Sequence, residues 1–247
     1  MFAPAYPVRV DGTLDRQLSR WLWLVKWFLA IPHYVVLAFL WLAFALLSVA
    51  AFFAILFTGR YPQAIFAFNV GVLRWNWRVG YYGYQVLGTD RYPPFTLADV
   101  PDYPAGLAVD RPPRPKRWLP LVAWLLALPQ LLIISALNST GGWQMYRNES
   151  VQEWAAWTFG LLGILVLVAA LALLFAGRYP RGLFDLLVGI ARWTLRVIAF
   201  VALLTEVYPP FRLDLGGDEP DGGPNDPIDV GNARDVALME NETAGAV

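Results

Sequence analysis

Cysteine is absent from the 247-residue chain. That excludes disulfide scaffolds, thiolate metal sites and thiol chemistry. Histidine occurs once, at His33, which excludes a multi-histidine metal site. Charge is scarce: 15% of residues are Asp, Glu, Lys or Arg, against about 25% in an average soluble domain. Recognisable catalytic motifs are missing as well. There is no G-x-x-x-x-G-K-[ST] phosphate loop, and H-E-x-x-H is impossible with one histidine. Gly71 and Gly80 lie too far apart for a G-x-G-x-x-G dinucleotide turn. A Ser/His/Asp triad would have to use His33, which sits beside Pro32 in an apolar run. No metal, no cofactor and no catalytic residue is expected.

Apolar residues fill the space. They make up 57% of the chain and aromatics 15%. The mean hydropathy of +0.46 points to a bilayer. The formal net charge of zero hides an asymmetry. Residues 1–205 carry +8 and residues 206–247 carry −8. A basic apolar body therefore ends in an acidic tail. Residues 214–247 are rich in Gly, Asp and Pro; such a stretch buries too little apolar surface to order itself and is expected to be disordered. The first apolar run starts at Trp21, behind Arg9, Arg16 and Arg20, without a small-residue cleavage site. No removable leader is expected.

The chain repeats itself. Gly59-Arg60-Tyr61-Pro62 returns as Gly177-Arg178-Tyr179-Pro180, 118 residues later. At that offset, 59–78 and 177–196 share 10 of 20 residues, among them Phe66/Phe184, Gly71/Gly189, Arg74/Arg192, Trp75/Trp193 and Arg78/Arg196. Tyr92-Pro93-Pro94-Phe95 returns as Tyr208-Pro209-Pro210-Phe211 at an offset of 116. Arg20-Trp21, Trp27 and Pro32 match Arg117-Trp118, Trp124 and Pro129 at an offset of 97. The second copy thus holds 21 extra residues, around Asn138 to Glu153. This divides the chain into a first membrane repeat (1–97), a basic Pro-rich linker (98–116), a second repeat (117–213) and the acidic tail (214–247).

Ile31-Pro32-His33, Phe57 to Pro62, Arg74-Trp75 and Asp90 to Phe95, with their second-copy partners Gly177 to Pro180, Arg192-Trp193 and Tyr208 to Phe211, resemble the bacterial membrane family known as domain of unknown function 4389. The second copy departs from the pattern at Gln130, in place of His33, and at Val207, in place of Arg91. The resemblance covers about residues 6–97 and 117–213. It implies an integral membrane protein and no assigned activity.

Length sets the expected spans. Trp21 to Phe57 is 37 nearly uncharged residues, ~55 Å as one helix, against a hydrocarbon core of ~30 Å. It is expected to turn back near Leu40–Phe44, or else to lie partly in the interface. Trp118–Leu137 and Trp154–Phe175 are each long enough to cross. Each copy reads as a transmembrane helical hairpin, and the fold as an all-α integral membrane protein. A third segment follows in each copy, Ala64–Val86 and Leu183–Leu204. Their arginines at i, i+4, Arg74/Arg78 and Arg192/Arg196, share one helix face. Arginine at mid-depth is costly, so these segments read as amphipathic helices in the interface; the alternative is a third crossing in each copy, with the basic linker outside and the copies inverted. Basic loops on one side place both termini in the cytoplasm of a multi-pass inner-membrane protein.

What recurs in both copies is basic and aromatic. Arg60, Arg74, Arg78, Arg178, Arg192 and Arg196 are the candidate lipid or anion ligands, since Arg pairs with phosphate in a bidentate fork. Tyr61, Trp75, Tyr179 and Trp193 are the candidate interfacial anchors. Three functions follow. The first is a non-enzymatic scaffold or accessory subunit that binds anionic headgroups or a membrane partner, including a second copy of itself. The second is part of a transporter or channel, suggested by Pro32 and Pro129. The third is a lipid-modifying enzyme using the symmetric acids Asp90 and Glu206. Nucleic acid is not an expected partner.

Overall fold

The computed structural model describes residues 6–15, 17–112, 114–138 and 160–217. The chain divides into two units, Pro7–Glu219 and a second formed by Met1–Tyr6 with Pro220–Val247. Everything below concerns the first. The polar loop expected after Asn138, the first part of the expected Trp154–Phe175 span and nearly all of the acidic tail lie outside the described residues.

The elements run β1 (Val8–Gly12), α1 (Trp23–Leu29), α2 (Ile31–Thr58), α3 (Gln63–Gly83), β2 (Ala105–Val109), α4 (Leu119–Asn138), α5 (Leu161–Ala176) and α6 (Arg181–Val201). The described fold is mostly helical with one small sheet. Among the described residues two helices, α2 and α4, are long and apolar enough to cross a membrane.

The expected turn near Leu40–Phe44 is not there. Leu40-Trp41-Leu42-Ala43-Phe44 contains no helix breaker, and α2 runs unbroken for 28 residues, ~42 Å at 1.5 Å per residue. The break comes earlier, at Ala30, between α1 and α2. Pro32 lies in the first turn of α2, where its missing N–H costs no internal bond. The helix stops at Gly59, which takes the left-handed conformation at φ 67° and donates its N–H to the Ile55 carbonyl at 2.8 Å. Gly177 ends α5 in the same way, at φ 63°.

The second hairpin is corrected too. In the repeat alignment, 119–138 matches 22–41 and 160–176 matches 42–58. The 21 extra residues fall between them. A methyl placed on Gly160 would stand 2.7 Å from the Asn138 carbonyl oxygen. The end of α4 and the start of α5 therefore meet where the first copy has continuous helix. Each copy contributes one long, interrupted helix rather than a hairpin.

These long helices lie antiparallel. Gly59, ending α2, sits against Arg117 just before α4, and Gly177, ending α5, sits against Arg20 just before α1. Beneath them lie α3 and α6. The α3 helix is a filling between two layers. Asn69, Trp75 and Asn76 turn toward α2, bonding Ser48, His33 and Trp41. Arg74, Trp77 and Tyr81 project from the other side, bonding the carbonyls of Leu107, Asp11 and Thr13.

The third layer is the two-stranded sheet. β1 and β2 are antiparallel, with Val8 opposite Val109, Val10 opposite Leu107 and Gly12 opposite Ala105. Val8, Val10, Ala105 and Leu107 are buried, while Arg9 and Asp11 point away from the core, the alternation of a half-covered strand. β2 lies inside the expected linker. It also stands 97 residues after β1, so the paired strands are repeat counterparts. A pseudo-twofold axis passes between Val10 and Leu107.

Candidate functional site

The arginine face turns inward. Arg192 has no exposed surface. Its Nε donates to the Val10 carbonyl at 2.9 Å and its Nη1 to the Asp214 carbonyl at 2.5 Å. Its Nη2 reaches the carbonyls of Gly216 and Gly217, each at 3.1 Å. Arg196 pairs with the Asp214 carboxylate at 2.6 Å and donates to the Val8 carbonyl at 3.4 Å. Arg74 donates to the Leu107 carbonyl at 2.8 Å and lies 3.6 Å from Asp99. Arg78 is buried and donates to the Thr96 carbonyl. The expected outward-facing ligand set is thus corrected for Arg78, Arg192 and Arg196, and Arg74 is only part-exposed. A guanidinium carries five donors in a fixed fork. For Arg192 and Arg196, strand and loop carbonyls and the Asp214 carboxylate supply the acceptors that water or phosphate would otherwise supply, whereas Arg78 has a partner only at Nη2, its Nε and Nη1 being buried without one.

The expected aromatic anchors are internal as well. Trp75 donates to His33 Nδ1 at 3.0 Å, and Phe95 stacks on the His33 ring with centroids 3.9 Å apart. Trp193 is buried. The Tyr61 hydroxyl accepts from Asn69 at 3.1 Å and donates to the Ala202 carbonyl at 3.4 Å. The Tyr179 hydroxyl donates to the Val86 carbonyl. Val86 and Ala202 are repeat counterparts. Each tyrosine therefore fastens its own copy to the other.

The symmetric acids prove to hold helix entrances. Asp90 accepts the Ser19 N–H at 2.6 Å, and Glu206 accepts the Lys116 N–H at 2.5 Å. Ser19 and Lys116 are counterparts at offset 97. In the first copy Asp90 also pairs with buried Lys26 at 2.7 Å. Burial pulls the Lys26 pKa below its ordinary 10.5, and the Asp90 carboxylate opposes that shift. Lys26 was not anticipated from sequence, because its counterpart is Ala123 and no repeat marks it. Tyr92 and Tyr208 were marked by repetition, but their partners were not. They donate to Leu29 and Leu126, both at 3.1 Å and again counterparts.

Arg60 and Arg178 remain exposed, together with Arg20 and Arg117. A methyl on Gly177 would lie 2.7 Å from Arg20 Nε, and one on Gly59 would lie 2.8 Å from Arg117 Nε. Each long helix thus ends, dipole-negative, under an arginine from the other copy, with its own arginine alongside. At the Gly177 end the structure opens into a cavity of about 880 Å³, lined by Leu14, Asp15, Leu18, Arg178, Arg181 and Asp185 among others. At the Gly59 end, Arg111 donates to the Tyr61 carbonyl at 2.6 Å. Its counterpart beside the cavity is the shorter, uncharged Leu14.

Comparison with known families gives one match. The family described as Domain of unknown function (DUF4389) matches residues 20–96 and 154–212. These two segments make up more than half of the chain and agree with two copies, and the protein belongs to that family. No curated protein and no solved structure matches the chain.

Proposed function

We propose that the protein is a non-enzymatic membrane scaffold or accessory subunit that holds anionic phospholipid headgroups at the ends of its long helices. The observation that carries this reading is the exchanged arginine pair at each end. Arg20 covers the end of α5 beside Arg178, and Arg117 covers the end of α2 beside Arg60. Both pairs stand where an apolar helix stops, at the border of the apolar surface, where an anionic headgroup would complement them. Arg60 and Arg178 are exposed beside these ends and are the ligands this reading assigns. Arg74, Arg78, Arg192 and Arg196 serve the fold.

Vesicle flotation tests this. The full chain is mixed with phosphatidylcholine vesicles, with or without phosphatidylglycerol. Stronger flotation with the anionic vesicles is expected. Reversing both exposed charges, Arg60→Glu with Arg178→Glu, removes that preference. Equal flotation of wild type and variant on anionic vesicles would refute the reading.

A further inference from the structure

The outermost layer of the fold is apolar along its whole length. Val35, Leu46 and Phe53 are exposed on α2, and their counterparts Leu132, Ile164 and Leu171 are exposed on α4 and α5. The pseudo-twofold axis gives both copies the same outward side, since Val10 and Leu107 both point inward from the sheet. From Trp23 to Thr58 this surface follows α1 and α2 for 36 residues, ~54 Å. That is far longer than a ~30 Å hydrocarbon core.

The opposite layer is charged. Arg9 and Asp110 form an exposed ion pair at 3.0 Å. Asp11, Arg91, Asp99 and Asp102 are exposed too. This layer lies alongside the long helices, separated from them by α3 and α6. Were α2 to cross a bilayer, the sheet and its charges would be carried to the same depth. Open sheet edges do not occur in the hydrocarbon region, and charge there is expensive. Turning the helices into the membrane plane removes both conflicts. It also brings Arg20, Arg60, Arg117 and Arg178 to the rim of the apolar layer, where anionic headgroups complement them.

We propose that α1–α2 and α4–α5 lie flat in one leaflet of a phospholipid bilayer, outer faces in the acyl chains, and that neither helix crosses. A helix is ~10–12 Å across and one leaflet contributes ~15 Å of hydrocarbon, so the layer fits within it. The sheet then faces water. This placement rests on the membrane association proposed above, and its test separates the two.

The chain has no cysteine, so each introduced cysteine is unique. Val35→Cys, Leu46→Cys, Phe53→Cys and, on the sheet, Asp11→Cys are each spin-labelled in the full chain. They are reconstituted into phosphatidylcholine–phosphatidylglycerol vesicles. Depth is read from the ratio of collisions with oxygen to collisions with a water-soluble nickel chelate. Val35 and Phe53 are ~27 Å apart along the helix. Flat embedding gives one depth at Val35, Leu46 and Phe53, and a water-exposed label at Asp11. A crossing helix gives the deepest label at Leu46 and shallower ones on either side. That result overturns the inference and leaves headgroup binding intact. Strong spin–spin coupling across the outer face shows a second copy covering it, which also overturns the inference. Failure of the labelled chains to float with vesicles overturns the proposed function itself.

Discussion

Val10 and Leu107 face each other across the sheet, and each accepts a hydrogen bond from an arginine of the opposite half: Arg192 to Val10 and Arg74 to Leu107. The two halves are exchanged rather than merely adjacent. Tyr61 with Ala202, Tyr179 with Val86, Arg117 on Gly59 and Arg20 on Gly177 follow the same rule.

Arg192 is expected to resist conservative replacement. Its fork serves four carbonyls, and lysine offers three donors on one atom. Leaving a buried carbonyl unpaired costs about 1–3 kcal/mol. Arg192→Lys should therefore lower stability by about 2–3 kcal/mol in denaturant titration. Arg74→Lys should cost less, because the Arg74 side chain is 21% exposed and water replaces part of what is lost.

Gly59→Ala and Gly177→Ala should each cost about 1–2 kcal/mol, since alanine at φ near +65° is strained. The added methyl also meets an arginine of the other copy. Arg117→Ala should therefore rescue part of the Gly59→Ala loss and none of the Gly177→Ala loss. Melting temperatures of the single and double variants check this. Equal rescue of both would contradict the exchange.

The Lys26–Asp90 pair should couple strongly. Removing one partner of a buried pair costs about 3–5 kcal/mol. Lys26 is 1% exposed and Asp90 22%, which places Asp90→Asn at about the lower figure. Lys26→Met combined with Asp90→Asn should be less harmful than Asp90→Asn alone. The pH dependence has a definite sign. With the folded pKa of Lys26 below 10.5, the unfolded chain holds more protons in the interval just beneath 10.5. Stability relative to Lys26→Met should rise with pH across that interval. Paired denaturation curves of the two proteins isolate this residue from the tyrosines.

Excising residues 139–159 and joining Asn138 to Gly160 should leave the fold intact. The first copy already runs through this point as helix, and Gly160 already touches Asn138. The expected result is an unchanged or higher melting temperature and slightly greater helical circular dichroism per residue. Loss of cooperative unfolding would show that α4 and α5 need the insert.

Much of this was legible in the sequence. The duplication, the Gly59 and Gly177 stops and the place of the 21-residue insertion follow from residue identities alone. The direction of the arginines does not. An i, i+4 pair establishes a shared face, but what covers that face is decided by partners far away: Val10 lies 182 residues from Arg192. β2 is five residues with three small ones, Ala105, Gly106 and Ala108, between proline-containing flanks. Only its pairing with β1 makes it a strand. A turn near Leu40–Phe44 would fit the run to the membrane core, but none of those residues breaks a helix and α2 runs through them.

The Gly12 N–H donates to the Gly217 carbonyl at 2.9 Å. The first strand is therefore completed by the last described residue. Translation adds about 5–20 residues per second, so β1 emerges from the ribosome about 10–40 s before that partner exists. Through that interval the nascent first half displays α2 and an unfinished strand edge. Exposed apolar surface beside an unpaired strand edge is the surface through which partly folded chains aggregate.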